Sequence, residues 1–236
     1  MNILTTSFPL AMMRNLLLLI ALATVATCRP RTLVILENVL TKETHSSFLA
    51  DLAEKDTDVT YKYATDSSLT IKKYGERVYD SIIVLAPSVA AFGNALTPTD
   101  FLDFVDAGGN LVMTASNKVG EPIREIAAEV GVEIDEAGTS VIDHMNYDVT
   151  DEGDHDLIVA GDFTKTKVIV GESPAPVLFK GVGMAADPEN PLVIDILKAS
   201  QTAYSHSPDQ DILEYPLAIG SSLLLVAGMQ ARNNAR

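Results

Sequence analysis

Three stretches of this chain hold residue types whose spacing could do chemistry. The first is Ser88. It follows Pro87 and the apolar run Ser81–Ala86, where an open α/β sheet would present a nucleophile at a strand end. A nucleophilic serine needs a neighbouring base, for which the sequence offers His45, His144, His155 and His206. Ser88 lacks the flanking glycines of a G-x-S-x-G elbow, whose small neighbours permit the strained turn. The second stretch is Asp143-His144-Met-Asn-Tyr-Asp148, with Asp151, Glu152, Asp154, His155 and Asp156 close behind. Oxygen and imidazole ligands in that density could hold a divalent cation. Its glycine and glutamate do not fit an EF-hand, and a solvated acidic loop is the simpler reading. The third is Gly181-Val-Gly183-Met-Ala-Ala186, a loose GxGxxA. Asp187-Pro188 follows at once, so no helix is expected where a pyrophosphate would need one.

The other ends of apolar runs read Glu37-Asn38 and Ser116-Asn117, and neither is a phosphate cradle. The only cysteine is Cys28, so an internal disulfide is excluded. No N-x-S/T sequon occurs. The chain carries 32 Asp+Glu against 17 Lys+Arg, a net charge of −15. A surface of that sign repels phosphate backbones and anionic lipid, which argues against nucleic acid as a partner.

Residues 1–28 contain no acidic residue and one cation, Arg14, followed by the eleven-residue apolar run Leu16–Ala26. A bilayer span needs about 20 residues. A run half that long, followed by the small residues Val25-Ala26-Thr27-Cys28, reads as a signal peptide over 1–28. With Cys28 in the leader, a mature thiol enzyme is excluded.

The elements that would position these residues alternate. Thr32–Leu36 and Ser81–Ala86 are short and β-branched, as strands buried on both faces require. Asp58–Tyr63 and Asn110–Ser116 read as two further strands. Thr44–Lys55 places Phe48, Leu49, Leu52 and Ala53 at helical spacing. Thr97-Pro98 is a helix start, with Phe101, Phe104 and Val105 facing inward and Gly108-Gly109 as the stop. Pro122–Val130 is a helix with Ile123, Ile126, Ala127 and Val130 on one face. Short strands separated by such helices predict a doubly wound, mainly parallel sheet. After residue 139 the rhythm shortens. Strands are expected at Thr139–Ile142, Leu157–Ala160, Lys167–Val170, Pro176–Phe179 and Ser222–Ala227, with a helix at Pro191–Ala199. These extra strands, some of them antiparallel, would complete one α/β domain over 29–236, with a separate small domain as the alternative.

Seven stretches carry a resemblance. They are RTLVILEN (31–38), KETHSSF (42–48), SLTIKKYGE (68–76), YDSIIVLAPSVAAFG (79–93), VIDHMNYD (141–148), FKGVGMAADPENPLVIDIL (179–197) and AGMQARNNAR (227–236). In this order they resemble the 48 kDa-type subunit family of eukaryotic oligosaccharyltransferase. That complex transfers a preassembled glycan from dolichyl diphosphate to asparagine. The resemblance implies an endoplasmic reticulum protein with a signal peptide and a class I amidotransferase-like, flavodoxin-like domain on the lumenal side. It implies a non-catalytic accessory subunit, with glycan transfer belonging to another, multi-span subunit. Catalytic, cofactor-binding and metal residues implied by the family: none. The partners implied are the other oligosaccharyltransferase subunits, including the catalytic one, and the lipid-linked oligosaccharide or nascent polypeptide. The family continues into further β structure and a single membrane span, and this sequence holds no second apolar run of membrane length. It is therefore expected to stop before that region. The alternative readings are an exported α/β binding module and a serine-dependent hydrolase built on Ser88.

Overall fold

A computed structural model describes residues 29–55, 58–213 and 215–230. The expected signal peptide over 1–28 and the string from Ala231 to Arg236 lie outside the described residues. The first half alternates as its sequence demands. Strand β1 (Arg31–Leu36) is followed by helices α1 (Val39–Thr44) and α2 (Ser46–Glu54), then β2 (Asp58–Tyr63). A small hairpin, β3 (Lys72–Lys73) and β4 (Glu76–Arg77), precedes β5 (Ser81–Leu85). Next come α3 (Pro98–Asp106), β6 (Asn110–Met113) and α4 (Glu121–Glu129).

Strands β2, β1, β5 and β6 pair in that order, all parallel. Their alternate faces are both covered. Leu33, Ile35, Ile82 and Val84 pack with Phe101 and Phe104 of α3 and Ile123 and Ile126 of α4. Val34, Leu36, Ile83 and Leu85 pack with Leu49 of α2. Such two-sided burial explains the near-continuous apolar runs of β1 and β5.

The sequence reading needs one change here. The expected helix Thr44–Lys55 is α2, and a further helix, α1, precedes it and meets it at His45. Asn38 caps the first by accepting from the Thr41 N–H at 3.1 Å, and this starts α1 well before Thr44. The other helix ends follow their signals. Asp100 closes a capping box with Thr97, and Gly108 takes φ 88 beyond α3.

The second half is antiparallel. It comprises β7 (Val132–Ile134), β8 (Ser140–Ile142), β9 (Ile158–Ala160), β10 (Asp162–Phe163), the short helix α5 (Lys167–Val170), β11 (Val177–Phe179), β12 (Met184–Ala186), β13 (Val193–Lys198), β14 (Tyr204–His206) and β15 (Leu224–Met229). Five of them form a sheet ordered β10-β13-β15-β12-β7. Two pairs, β9 with β11 and β8 with β14, stand beside it.

The later strands therefore do not extend the parallel sheet. They build a sheet of their own, and the molecule is a mixed α/β structure with four parallel strands. Two elements differ in type from expectation. Pro191–Ala199 is not a helix; Val193, Ile194 and Ile196 lie in β13, held between β10 and β15. Lys167–Val170 is not a strand but one helical turn stopped by Gly171 at φ 81. The two sheets share apolar packing. Val132, Ile134 and Val182 join the core beneath α3 and α4, while Leu197, Leu223 and Leu225 centre a second core with Val141 and Ile158.

Candidate functional site

Strand order reverses between β1 and β5, since β2 lies on one side of β1 and β5 with β6 on the other. Ligands of open α/β sheets settle at such a point, outside the carboxyl ends of the strands. The register pairs Leu36 with Leu85, which brings the next residues of each strand together. Ser88 donates its hydroxyl to Glu37 Oε1 at 2.5 Å, and its N–H points to Oε2 at 3.5 Å. Gly120, the N-cap of α4, sits against the same turn, donating its N–H to the Pro87 carbonyl at 2.8 Å.

This geometry settles what Ser88 meets. Its partner is a carboxylate of its own chain, Glu37, which lies beside it at the carboxyl ends of β1 and β5. A serine nucleophile is activated by a base that a third group orients. The histidines are engaged elsewhere. His45 Nδ1 lies 3.1 Å from the Thr41 carbonyl and 2.9 Å from Thr44 Oγ1. His206 Nε2 lies 3.0 Å from the Gln210 carbonyl. His144 and His155 face one another. Ser116 and Asn117 form a turn in which Ser116 Oγ accepts from the Lys118 N–H and the Asn117 carbonyl from Gly138. Gly181 and Gly183 lead into strand β12, so no helix N-terminus stands ready for a phosphate there.

The acidic stretch is a loop in which Asp143 and Asp156 are buried while Glu152 and Asp154 face solvent. Asp143 is buried and accepts from Ser200, from Thr202 Oγ1 at 2.7 Å, from Asn146 Nδ2 at 3.0 Å and from the Met145 N–H at 2.9 Å. Burial pushes its carboxyl up, and these hydrogen bonds outweigh burial and hold it below the usual carboxylate range. Asp151 accepts N–H bonds from Leu157, Gly153, His155 and Asp156 and is lowered to about 2. Asp156 is buried and pairs with Lys180 Nζ at 2.8 Å. Among the described residues, no group of three or more His, Cys, Asp or Glu side chains converges to hold a metal ion.

Sequence reasoning missed the groups that tie the halves together. Arg124 of α4 donates to the carbonyls of Ile134 at 2.7 Å and Asp135 at 2.5 Å. Ser205 donates to Asp135 at 2.5 Å. Ser200, Thr202 and Tyr204 come to the acidic loop through the pairing of β14 with β8. Arg124 reaches acceptors ten and eleven residues on, while the other partners lie more than fifty residues apart, with no local signal to announce them.

Two cavities of about 540 Å³ each flank the segment around Leu213 and Tyr215. One is walled by Tyr204, Ile212, Leu213, Tyr215, Pro216 and Ile219. The other is polar, with Arg124, Glu133, Asp135 and His206 among its walls. Leu213 is 89% exposed and Tyr215 100%, large apolar side chains left facing solvent.

A parallel α/β sheet whose switch point is filled by its own side chains, joined to an antiparallel sheet, defines a mixed α/β protein. The family described as "OST48, N-terminal domain" matches residues 23–236, and the chain belongs to it. Three curated relatives agree, each named dolichyl-diphosphooligosaccharide–protein glycosyltransferase 48 kDa subunit. The one from Danio rerio is 50% identical over 209 residues, covering 87% of this chain and 47% of its own length. The one from Drosophila melanogaster is 44% identical over 232 residues, covering 93% and 52%. The one from Caenorhabditis elegans is 46% identical over 211 residues, covering 87% and 47%. The chain thus spans about half the length of the curated relatives it matches. Among the described residues no helix is long and apolar enough to cross a membrane.

Proposed function

We propose that this chain is the lumenal α/β portion of a non-catalytic subunit of the oligosaccharyltransferase complex, acting in asparagine-linked glycosylation in the endoplasmic reticulum. The observation that carries the reading is the match of residues 23–236 to the 48 kDa subunit family. The Ser88–Glu37 contact supports the non-catalytic part. A sheet of this order would do chemistry at that point, and there a carboxylate of the chain takes both donors of the serine. In the same reading the four parallel strands are the core of a doubly wound, amidotransferase-like sheet. Residues 1–28 are a signal peptide, and 29–236 act as one lumenal domain.

Its work is then done by its outer surface. The exposed Ile212, Leu213, Tyr215 and Ile219 form the kind of apolar patch that marks protein contact. The partners are the other transferase subunits, including the catalytic one, and the body helps present the lipid-linked oligosaccharide or the nascent polypeptide to it. The test is complementation. In cells depleted of the endogenous subunit, the full-length protein carrying Ser88→Ala with Glu37→Gln should restore glycosylation of a reporter as well as the unaltered protein. Loss of glycosylation by that variant, at unchanged abundance and complex assembly, would mean that the pair does chemistry.

A further inference from the structure

The loop between β8 and β9 brings together two side chains that the proposed function leaves unused. His144 and His155 meet with their Nδ1 atoms 2.5 Å apart and their rings edge to face. This contact is closely supported. His155 adopts φ 56, a left-handed backbone that a non-glycine residue takes up at a cost. Asp151 holds it there, accepting N–H bonds from His155 at 2.8 Å and from Gly153, Asp156 and Leu157 at 2.9 to 3.1 Å. Tyr147 stacks against the His155 ring at 4.1 Å between centroids. On the far side of the pair, His144 Nε2 lies 2.9 Å from the Tyr204 hydroxyl.

That last contact bears on the tautomer. The hydroxyl can donate or accept, and a bound metal would select the tautomer in which His144 donates Nε2–H to it and carries its lone pair on Nδ1, which faces His155. Proteins present histidine to transition metals in this way, with one nitrogen free and the other fixed by a hydrogen-bond partner. Four of the carboxylates nearby are already engaged, and the exposed Glu152 and Asp154 do not converge with the two histidines. Asp143 is taken by Ser200, Thr202 and Asn146, Asp148 by Thr150, Asp151 by backbone and Asp156 by Lys180. They supply a negative field rather than ligands, which disfavours the oxygen-seeking ions Mg2+ and Ca2+ and leaves the two imidazoles as donors.

We infer that His144 and His155 form a two-histidine site for a borderline transition-metal dication, Zn2+ or Cu2+, completed by water. With Zn–N bonds of about 2.0–2.1 Å, two tetrahedral ligands stand roughly 3.3 Å apart. The ion would enter by replacing the shared proton while the rings part by less than about 1 Å. Tyr204 is a positioning residue for His144.

The test titrates ZnCl2, and separately CuCl2, into the tag-free chain near neutral pH by calorimetry, with Zn2+ also followed by imidazole NMR. The expected result is one equivalent bound per chain, with His144 and His155 resonances shifted by Zn2+ and those of His45 and His206 in place. MgCl2 should produce no shift. His144→Gln and His155→Asn should each weaken binding at least tenfold; asparagine tolerates the left-handed backbone, so the loop is kept. Tyr204→Phe should weaken it by about 10–100-fold with an unchanged unfolding midpoint. The site is overturned if neither ion binds below millimolar concentration. It is equally overturned if binding survives in the His144→Gln, His155→Asn double variant, or if all four histidines respond alike to Zn2+.

Discussion

Ser205 on β14 donates its hydroxyl to Asp135 Oδ2 at 2.5 Å, and both residues are buried, at 1% and 8% exposure. Asp135 follows β7 and donates its own N–H to the Gly183 carbonyl at 3.0 Å. Its carbonyl receives Arg124 from α4. One residue, through its carboxylate, its N–H and its carbonyl, thus links the β8–β14 pair, the glycine-rich approach to β12 and the last helix of the parallel layer.

Removing the hydroxyl tests that linkage. Ser205→Ala strips a hydrogen bond from a buried carboxylate, which is more costly than losing both partners together. The expected loss is about 1–3 kcal/mol of stability, read as a lower denaturation midpoint at unchanged slope. An unchanged midpoint would show that Asp135 finds another donor.

Gly120 is fixed by space. A Cβ placed there would stand 1.9 Å from the Val89 carbonyl oxygen, a backbone atom that cannot swing away. Gly120→Ala should push α4 from the Pro87–Val89 turn, with a cost of about 1–3 kcal/mol or more. Gly138→Ala, where the added carbon meets nothing within 4 Å but φ is 94, separates backbone strain from collision. Hydrogen exchange at the α4 N-terminus should rise in the first variant only.

Asp151 gives the acidic loop its pH dependence. Its folded carboxyl titrates at about 2, below the reference 3.8, chiefly because the Leu157 N–H and three other backbone N–H groups bond its charged form. A lowered folded pKa contributes order above pH 3.8 that fades as pH falls through about 2. Amide protection at Gly153 and His155 should therefore drop across that window. Asp151→Asn should show low protection already at neutral pH and a flat acid response.

How much of this was legible in the sequence differs between the halves. In the first half each strand is bounded by local chemistry. Thr97 with Asp100 caps α3, Gly108 stops it, and the β-branched runs of β1 and β5 can be buried on both faces. Pro191–Ala199 misled because Leu192, Ile196 and Lys198 also suit a helix, and antiparallel pairing with β10 and β15 decided for a strand. At the switch point both Glu37 and Ser88 stood out as strand-end residues, but their contact depends on the β1–β5 register. The approach of His144 to His155 was hidden more deeply. It depends on Asp151 folding the loop back on itself, and sequence spacing carries no trace of that closure.

The account rests on membership of an assembly, and affinity purification of the full-length tagged protein from mild detergent extracts tests it most directly. The expected result is co-recovery, in near-equal amounts, of the other oligosaccharyltransferase subunits with the catalytic one among them, together with glycan transfer by the recovered complex. Recovery of the protein alone, at normal abundance and fold, would contradict it.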